Sequence, residues 1–150
     1  TKELLNTFPD ELSVVHYVNS GSEANELAMR MYKAATNQND MIAVEIGYHG
    51  NTQGCIDVSS YKFDGKGGNG VPEHTHIVPL PDRFRGLYRG DEESQKYATH
   101  IQDQIDNIKG KGRNVAGFIC ESIISCGGQI ELPNHYLETA YAAVRNEGGL

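Results

Sequence analysis

The sequence predicts an α/β fold built on a largely parallel sheet, and two observations carry that prediction. Short apolar runs alternate with segments whose apolar residues recur at helical spacing, the order expected of successive strand–helix–strand units. The runs MIAVEI (Met41–Ile46) and VAGFICESII (Val115–Ile124) are apolar over most of their length. Strands buried on both faces have that composition.

The elements follow in order. SVVHYV (Ser13–Val18) reads as a first strand. A helix from about Ser22 to Asn37 opens in NSGSEANELAMRMYKAA, where Ser20 and Glu23 have the S-x-x-E spacing of a capping box. Ala24, Leu27, Ala28, Met31 and Ala35 then mark its buried face. Met41–Ile46 is the second strand, and a short helix follows Asn51. DGKGGNGVP (Asp64–Pro72) is a glycine-rich loop without the G-x-x-x-x-G-K-[ST] spacing of a phosphate loop. Thr75–Leu80 is the third strand. Pro79 has no N–H for a ladder, so the strand ends there or lies on an edge. Tyr97, Ile101, Ile105 and Ile108 line one face of a long helix that stops near Gly110. Val115–Ile124 is the fourth strand, and Leu137, Ala140, Tyr141 and Val144 mark a last helix. A further strand is expected to start at Gly148-Gly149-Leu150.

Composition narrows the function. The formal net charge is −7, with a pI near 5.3. The basic excess that neutralises phosphates is missing, which argues against a nucleic-acid partner. No apolar run approaches the ~20 residues of a membrane span, and TKELLNTFPDEL lacks the charged-then-apolar pattern of a signal peptide. Cys55, Cys120 and Cys126 form an odd set with no C-x-x-C pair. That argues against a metal or disulfide framework and for a cytoplasmic, reducing location.

In such folds ligands sit at the carboxyl ends of the strands. Four segments therefore share one rim: Asn19–Ser22, Gly47–Gly50, the loop after Leu80, and Glu121–Gly128. The capping box explains Ser20 and Glu23 but not Gly21, because glycine in a helix costs about 0.5–1 kcal/mol relative to alanine. Close approach of a ligand to the backbone is one compensation. A helix start with small residues and free N–H groups is an anion site. Tyr48 precedes His49-Gly50 at a strand end, where an aromatic ring stacks on a planar ligand or packs half-buried with its hydroxyl in water. Glu121 lies in an apolar context and needs a partner, structural or functional.

Together these segments resemble the class III aminotransferases, fold-type-I enzymes that use pyridoxal 5'-phosphate. The resemblance spans nearly the whole chain: NSGSEAN, a strand ending in YHG, then a strand ending in glutamate. SYKFDGKGG, PLPDRFRGLYRG and ESIISCGGQIELP look like the subgroup containing ethanolamine-phosphate and 5-phosphohydroxylysine phospho-lyases. The resemblance implies a three-layer large domain in which Ser20, Gly21 and Ser22 cradle the cofactor phosphate. It also implies that Tyr48 stacks on the pyridine ring, with His49 as a neighbour or a structural histidine, and that Glu121 joins the polar network beneath. Arg85, with Arg83 and Arg89, is a candidate for a substrate phosphate, since guanidinium matches phosphate bidentately; a solvated basic turn is the alternative.

Two departures from the family pattern matter. Most members carry a glutamate in the segment after the fourth strand, where this chain has Cys126. The resemblance also requires a Schiff-base lysine and an aspartate paired with the pyridine nitrogen, both downstream of the last helix. None of the seven lysines here holds the family's position. The chain thus reads as residues 1–150 of a partial cofactor-binding domain, without the C-terminal small domain. The expected activity is transfer of an amino group between an amine or amino acid and a keto acid, by a homodimer when full length. One alternative is an amino-phospho-lyase acting on a phosphorylated amine. Another is a non-catalytic anion-binding α/β module.

Overall fold

The computed structural model describes residues 1–90 and 92–150. Among them, three strands form one parallel sheet: β1 (Asp40–Val44), β2 (Thr75–Val78) and β3 (Val115–Ile119), in the order β2-β1-β3. The helices are α1 (Lys2–Leu5), α2 (Gly21–Thr36), α3 (Gln53–Asp57), α4 (Ser60–Phe63), α5 (Glu93–Gly110) and α6 (Tyr136–Asn146).

Strand alternation explains the layers. Ile42 and Val44 of β1 pack against Ile101 and Ile105 of α5 and Val144 of α6. Met41 and Ala43 pack instead with Met29 of α2 and with Cys55 and Val58 around α3. Helices therefore cover both faces of β1, as its apolar sequence requires. Tyr97, Ile101, Ile105 and Ile108 are all buried, and α5 ends at Gly110, as their spacing predicts. Burying each of those isoleucines is worth about 1.5–3 kcal/mol.

Three strand assignments change. Ser13–Val18 forms no strand: it pairs with neither sheet edge, and Val14 is 76% exposed. β-Branched composition alone does not make a strand where no edge accepts it. The strand beginning at Met41 ends at Val44, because Ile46 adopts a positive φ of 62°. The strand beginning at Val115 ends at Ile119, five residues early; beyond it Ile124 pairs antiparallel with Ile130. The third strand stops at Val78, just before Pro79. Leu150 donates its N–H to the Ala116 carbonyl and its carbonyl accepts the Phe118 N–H, so the chain runs beside β3 there, but residues 148–150 form no strand.

The buried face of α2 also differs from expectation. Met29 is its buried residue and Tyr32 packs beside it, whereas Met31 is 48% exposed. The apolar stripe through Ala24, Leu27 and Met31 is offset from the side that meets the sheet. At the amino ends of the strands, His76 Nε2 lies 2.7 Å from the buried Asp40 carboxylate, and Arg113 Nη2 lies 3.3 Å from it. That charge cluster closes the end of the sheet opposite the rim.

Candidate functional site

The rim is built from the start of α2. Ser20 caps it: its Oγ accepts the Glu23 N–H at 3.1 Å, while the Glu23 carboxylate accepts the Asn19 N–H at 2.6 Å. The capping box is thus formed, reaching one residue further back than the usual pattern. Gly21 is exposed, and a Cβ placed there meets nothing within 4 Å. No packing demand explains this glycine. The Gly21 and Ser22 amides, at the first turn, have no partner among the described residues.

The chain from Ile46 to Asn51 is held almost atom by atom. The Ile46 N–H donates to Ser60 Oγ at 2.6 Å and the His49 N–H to Ser59 Oγ at 2.9 Å. The Tyr48 N–H donates to Glu121 Oε1 at 2.9 Å. Asn25 Nδ2 donates to the His49 carbonyl at 2.7 Å, and the Asn51 N–H donates to Ser22 Oγ at 3.1 Å. These bonds hold Ile46 in a left-handed conformation unfavourable for a β-branched residue. Gly50 has φ 136°, and a Cβ there would lie 2.6 Å from Ser22 Oγ, so no side chain fits between the loop and the helix start.

The structure therefore brings Ser22, Tyr48, His49 and Glu121 into one bonded unit, with Ser20 and Gly21 at its edge. Glu121 finds structural partners: its second oxygen accepts the Ser125 N–H at 3.0 Å. His49 is 5% exposed, and its Nε2 is buried with no hydrogen-bond partner among the described residues. Burial holds its pKa below the ordinary histidine value, and the Glu121 charge partly opposes that shift. Burial, with a smaller push from Glu121, raises the Cys120 thiol to about 12, so it stays protonated. The Tyr48 ring is half-buried, edge-on to Tyr61 at 6.1 Å, with Lys62 Nζ 5.5 Å from its centroid.

Arg85 stands apart. It borders a groove of about 800 Å³ between residues 82–85, Gly90, Glu93 and Ser94 on one side and residues 128–134 on the other, and a second of about 590 Å³ beside Glu45 and Leu80. Neither groove is lined by Ser20, Gly21, Ser22, Tyr48, His49 or Glu121. Arg83 is committed to the buried Glu93 carboxylate. The sequence does not mark Asn25, Ser59, Ser60 or Lys62 as site residues, because single serines, asparagines and lysines carry no spacing signal.

The sequence pattern of the family described as Aminotransferase class-III matches residues 1–150. The chain belongs to the class-III aminotransferases. Its relatives include alanine–glyoxylate aminotransferase 2 homolog 2, mitochondrial, of Arabidopsis thaliana, 42% identical over 100% of this chain and 30% of that protein. Ethanolamine-phosphate phospho-lyase homolog 1 of Caenorhabditis elegans is 34% identical over 99% of this chain and 34% of that protein. Among solved structures, a phospholyase from Arthrobacter in complex with phosphoethanolamine superposes with a TM-score of 0.85. It is 26% identical, over 99% of this chain and 35% of that one. The chain thus spans about a third of the length of these relatives. Among the described residues no helix is long and apolar enough to cross a membrane.

Proposed function

We propose that this chain is the cofactor-holding part of a longer pyridoxal-5'-phosphate enzyme. It moves an amino group between an amine or amino acid and a keto acid, as a cytoplasmic homodimer. The observation that carries the reading is the bonded unit of the α2 start and the Ile46–Asn51 loop. Free first-turn amides and an open glycine belong to the same bonded unit as a half-buried aromatic ring. The donor set fits the cofactor. The Gly21 and Ser22 amides, with the Ser22 and Ser20 hydroxyls, suit a phosphate dianion at a helix N-terminus. The Tyr48 ring suits one face of a pyridine. His49 carries a buried Nε2 without a partner among the described residues, and Glu121 holds the Tyr48 backbone. When bound, pyridoxal phosphate supplies an electron sink for a carbanion at the substrate carbon.

A second reading, phosphate elimination from a phosphorylated amine, is favoured by Cys126. It stands exposed where most of the family has a glutamate, and the similarity to the phospho-lyase proteins points the same way. The cytoplasmic reading rests on three unpaired cysteines; imaging of the tagged full-length protein separates it from a mitochondrial location.

The test uses the full-length protein supplied with pyridoxal phosphate. Keto-acid formation from alanine or 4-aminobutyrate supports transamination. Phosphate release from ethanolamine phosphate without transamination moves the assignment to the lyases. Absence of cofactor uptake leaves an anion-binding module.

A further inference from the structure

We propose that Lys62 is the specificity-determining residue that receives the anionic group of a phosphorylated amine beside the cofactor. This rests on the reading of Tyr48 as the residue that covers the cofactor ring.

The basic residues near the rim differ in availability. Arg83 is taken by Glu93, and Arg85 borders grooves that exclude Tyr48. Lys62 instead places its ammonium 5.5 Å from the centroid of the Tyr48 ring. Among the described residues Lys96 and Lys109 have carboxylate partners, Glu92 and Glu147, and Lys62 has none. The Glu121 oxygens are engaged by the backbone amides of Tyr48 and Ser125 and form no ion pair with it. Lys62 is therefore a partly buried cation whose neighbour is an aromatic face and which has no carboxylate within ion-pair distance among the described residues.

Its backbone is also held in place. The Lys62 N–H donates to the Ser59 carbonyl at 2.8 Å, and the Tyr61 N–H to the Gly47 carbonyl at 3.3 Å. The hydroxyls of Ser59 and Ser60 hold the His49 and Ile46 amides. The turn carrying Lys62 and the loop carrying Tyr48 are thus one hydrogen-bonded piece, so the backbone from which the ammonium extends keeps its place relative to the ring. A compact ammonium on a flexible stem reaches an anion at the ring's margin. A neutral amine offers it nothing, which makes it a discriminator between substrate classes.

The experiment compares Lys62→Met, Lys62→Arg and Arg85→Ala in the full-length protein loaded with pyridoxal phosphate. Lys62→Met is expected to lower kcat/KM for ethanolamine phosphate by about 10- to 100-fold, mainly through KM. Its kcat/KM for alanine stays within about twofold and its cofactor absorbance is unchanged. Lys62→Arg recovers most of the loss, and Arg85→Ala keeps the wild-type preference. Independently of turnover and of any variant's folding, inorganic phosphate should protect Lys62 of the wild-type protein from amine-directed labelling, mapped by mass spectrometry. Absence of that protection overturns the proposal. So does a Lys62→Met enzyme that loses both substrates equally, loses its cofactor, or loses nothing. Wild-type protein that binds cofactor and transaminates without releasing phosphate overturns it too, while the aminotransferase reading stands. Failure to take up cofactor removes both.

Discussion

The Glu121 carboxylate accepts the backbone amide of Tyr48 across 2.9 Å, joining the end of β3 to the end of β1 over 73 residues of sequence. With its other oxygen on the Ser125 amide, this side chain acts as a clamp between two loops of the rim. Glu121→Ala leaves two amides without an acceptor and is expected to destabilise the protein by about 2–4 kcal/mol. Glu121→Gln keeps one acceptor oxygen and should lose roughly half as much. Urea unfolding of both variants checks the order; equal stabilities would show that the clamp is dispensable.

The glycines at 21 and 50 should respond in opposite ways. At Gly50 an added Cβ meets Ser22 at 2.6 Å in a backbone conformation of φ 136°, so Gly50→Ala is expected to cost more than about 2 kcal/mol. At Gly21 an added Cβ meets nothing. Gly21→Ala should therefore stabilise the unliganded protein by up to about 0.5 kcal/mol. It should at the same time weaken binding of pyridoxal phosphate, by crowding the approach to the α2 amides. Thermal melts with and without cofactor separate the two effects, and unchanged cofactor affinity in Gly21→Ala would remove the cradle.

Stability should fall on mild acidification because of His49. Its folded pKa lies below the ordinary histidine value of 6.5, through burial first and against the opposing Glu121 charge. The unfolded chain then binds the proton more readily than the folded one. The stability associated with neutral His49 is complete above pH 6.5 and is lost as pH falls below it toward the folded pKa. The slope reaches at most about 1.4 kcal/mol per pH unit. His49→Gln should flatten that part of the profile, and a slope identical to wild type would assign it to other groups.

Thiol labelling should distinguish the cysteines. Cys126 is exposed, Cys55 is buried, and Cys120 has its pKa pushed up to about 12. Iodoacetamide at pH 8 is expected to modify Cys126 first, with Cys55 and Cys120 reacting only on unfolding. Peptide mapping checks the order.

The sequence by itself determined the fold class, the helix start at Ser20 and the apolar face of α5, and it brought the α2 start, the Gly47–Gly50 loop and Glu121 to one end of the sheet. Each of these depends on local periodicity, a cap or a short motif, which neighbouring residues express together. The misread elements share a different dependence. Ser13–Val18 has the composition of a strand, but whether an edge accepts it is settled by what lies next to it. The buried side of α2 turns on Met29 and not Met31, because the sheet and not the helix period selects which face is covered. The tertiary structure alone placed Lys62 over Tyr48 and Arg85 in another groove. It alone showed that Ser59, Ser60 and Asn25 hold the loop. Such pairings join residues far apart in the chain through single side-chain bonds, which leave no repeating pattern in the sequence. They arise only when the parallel crossovers bring the carboxyl ends of β1 and β3 side by side.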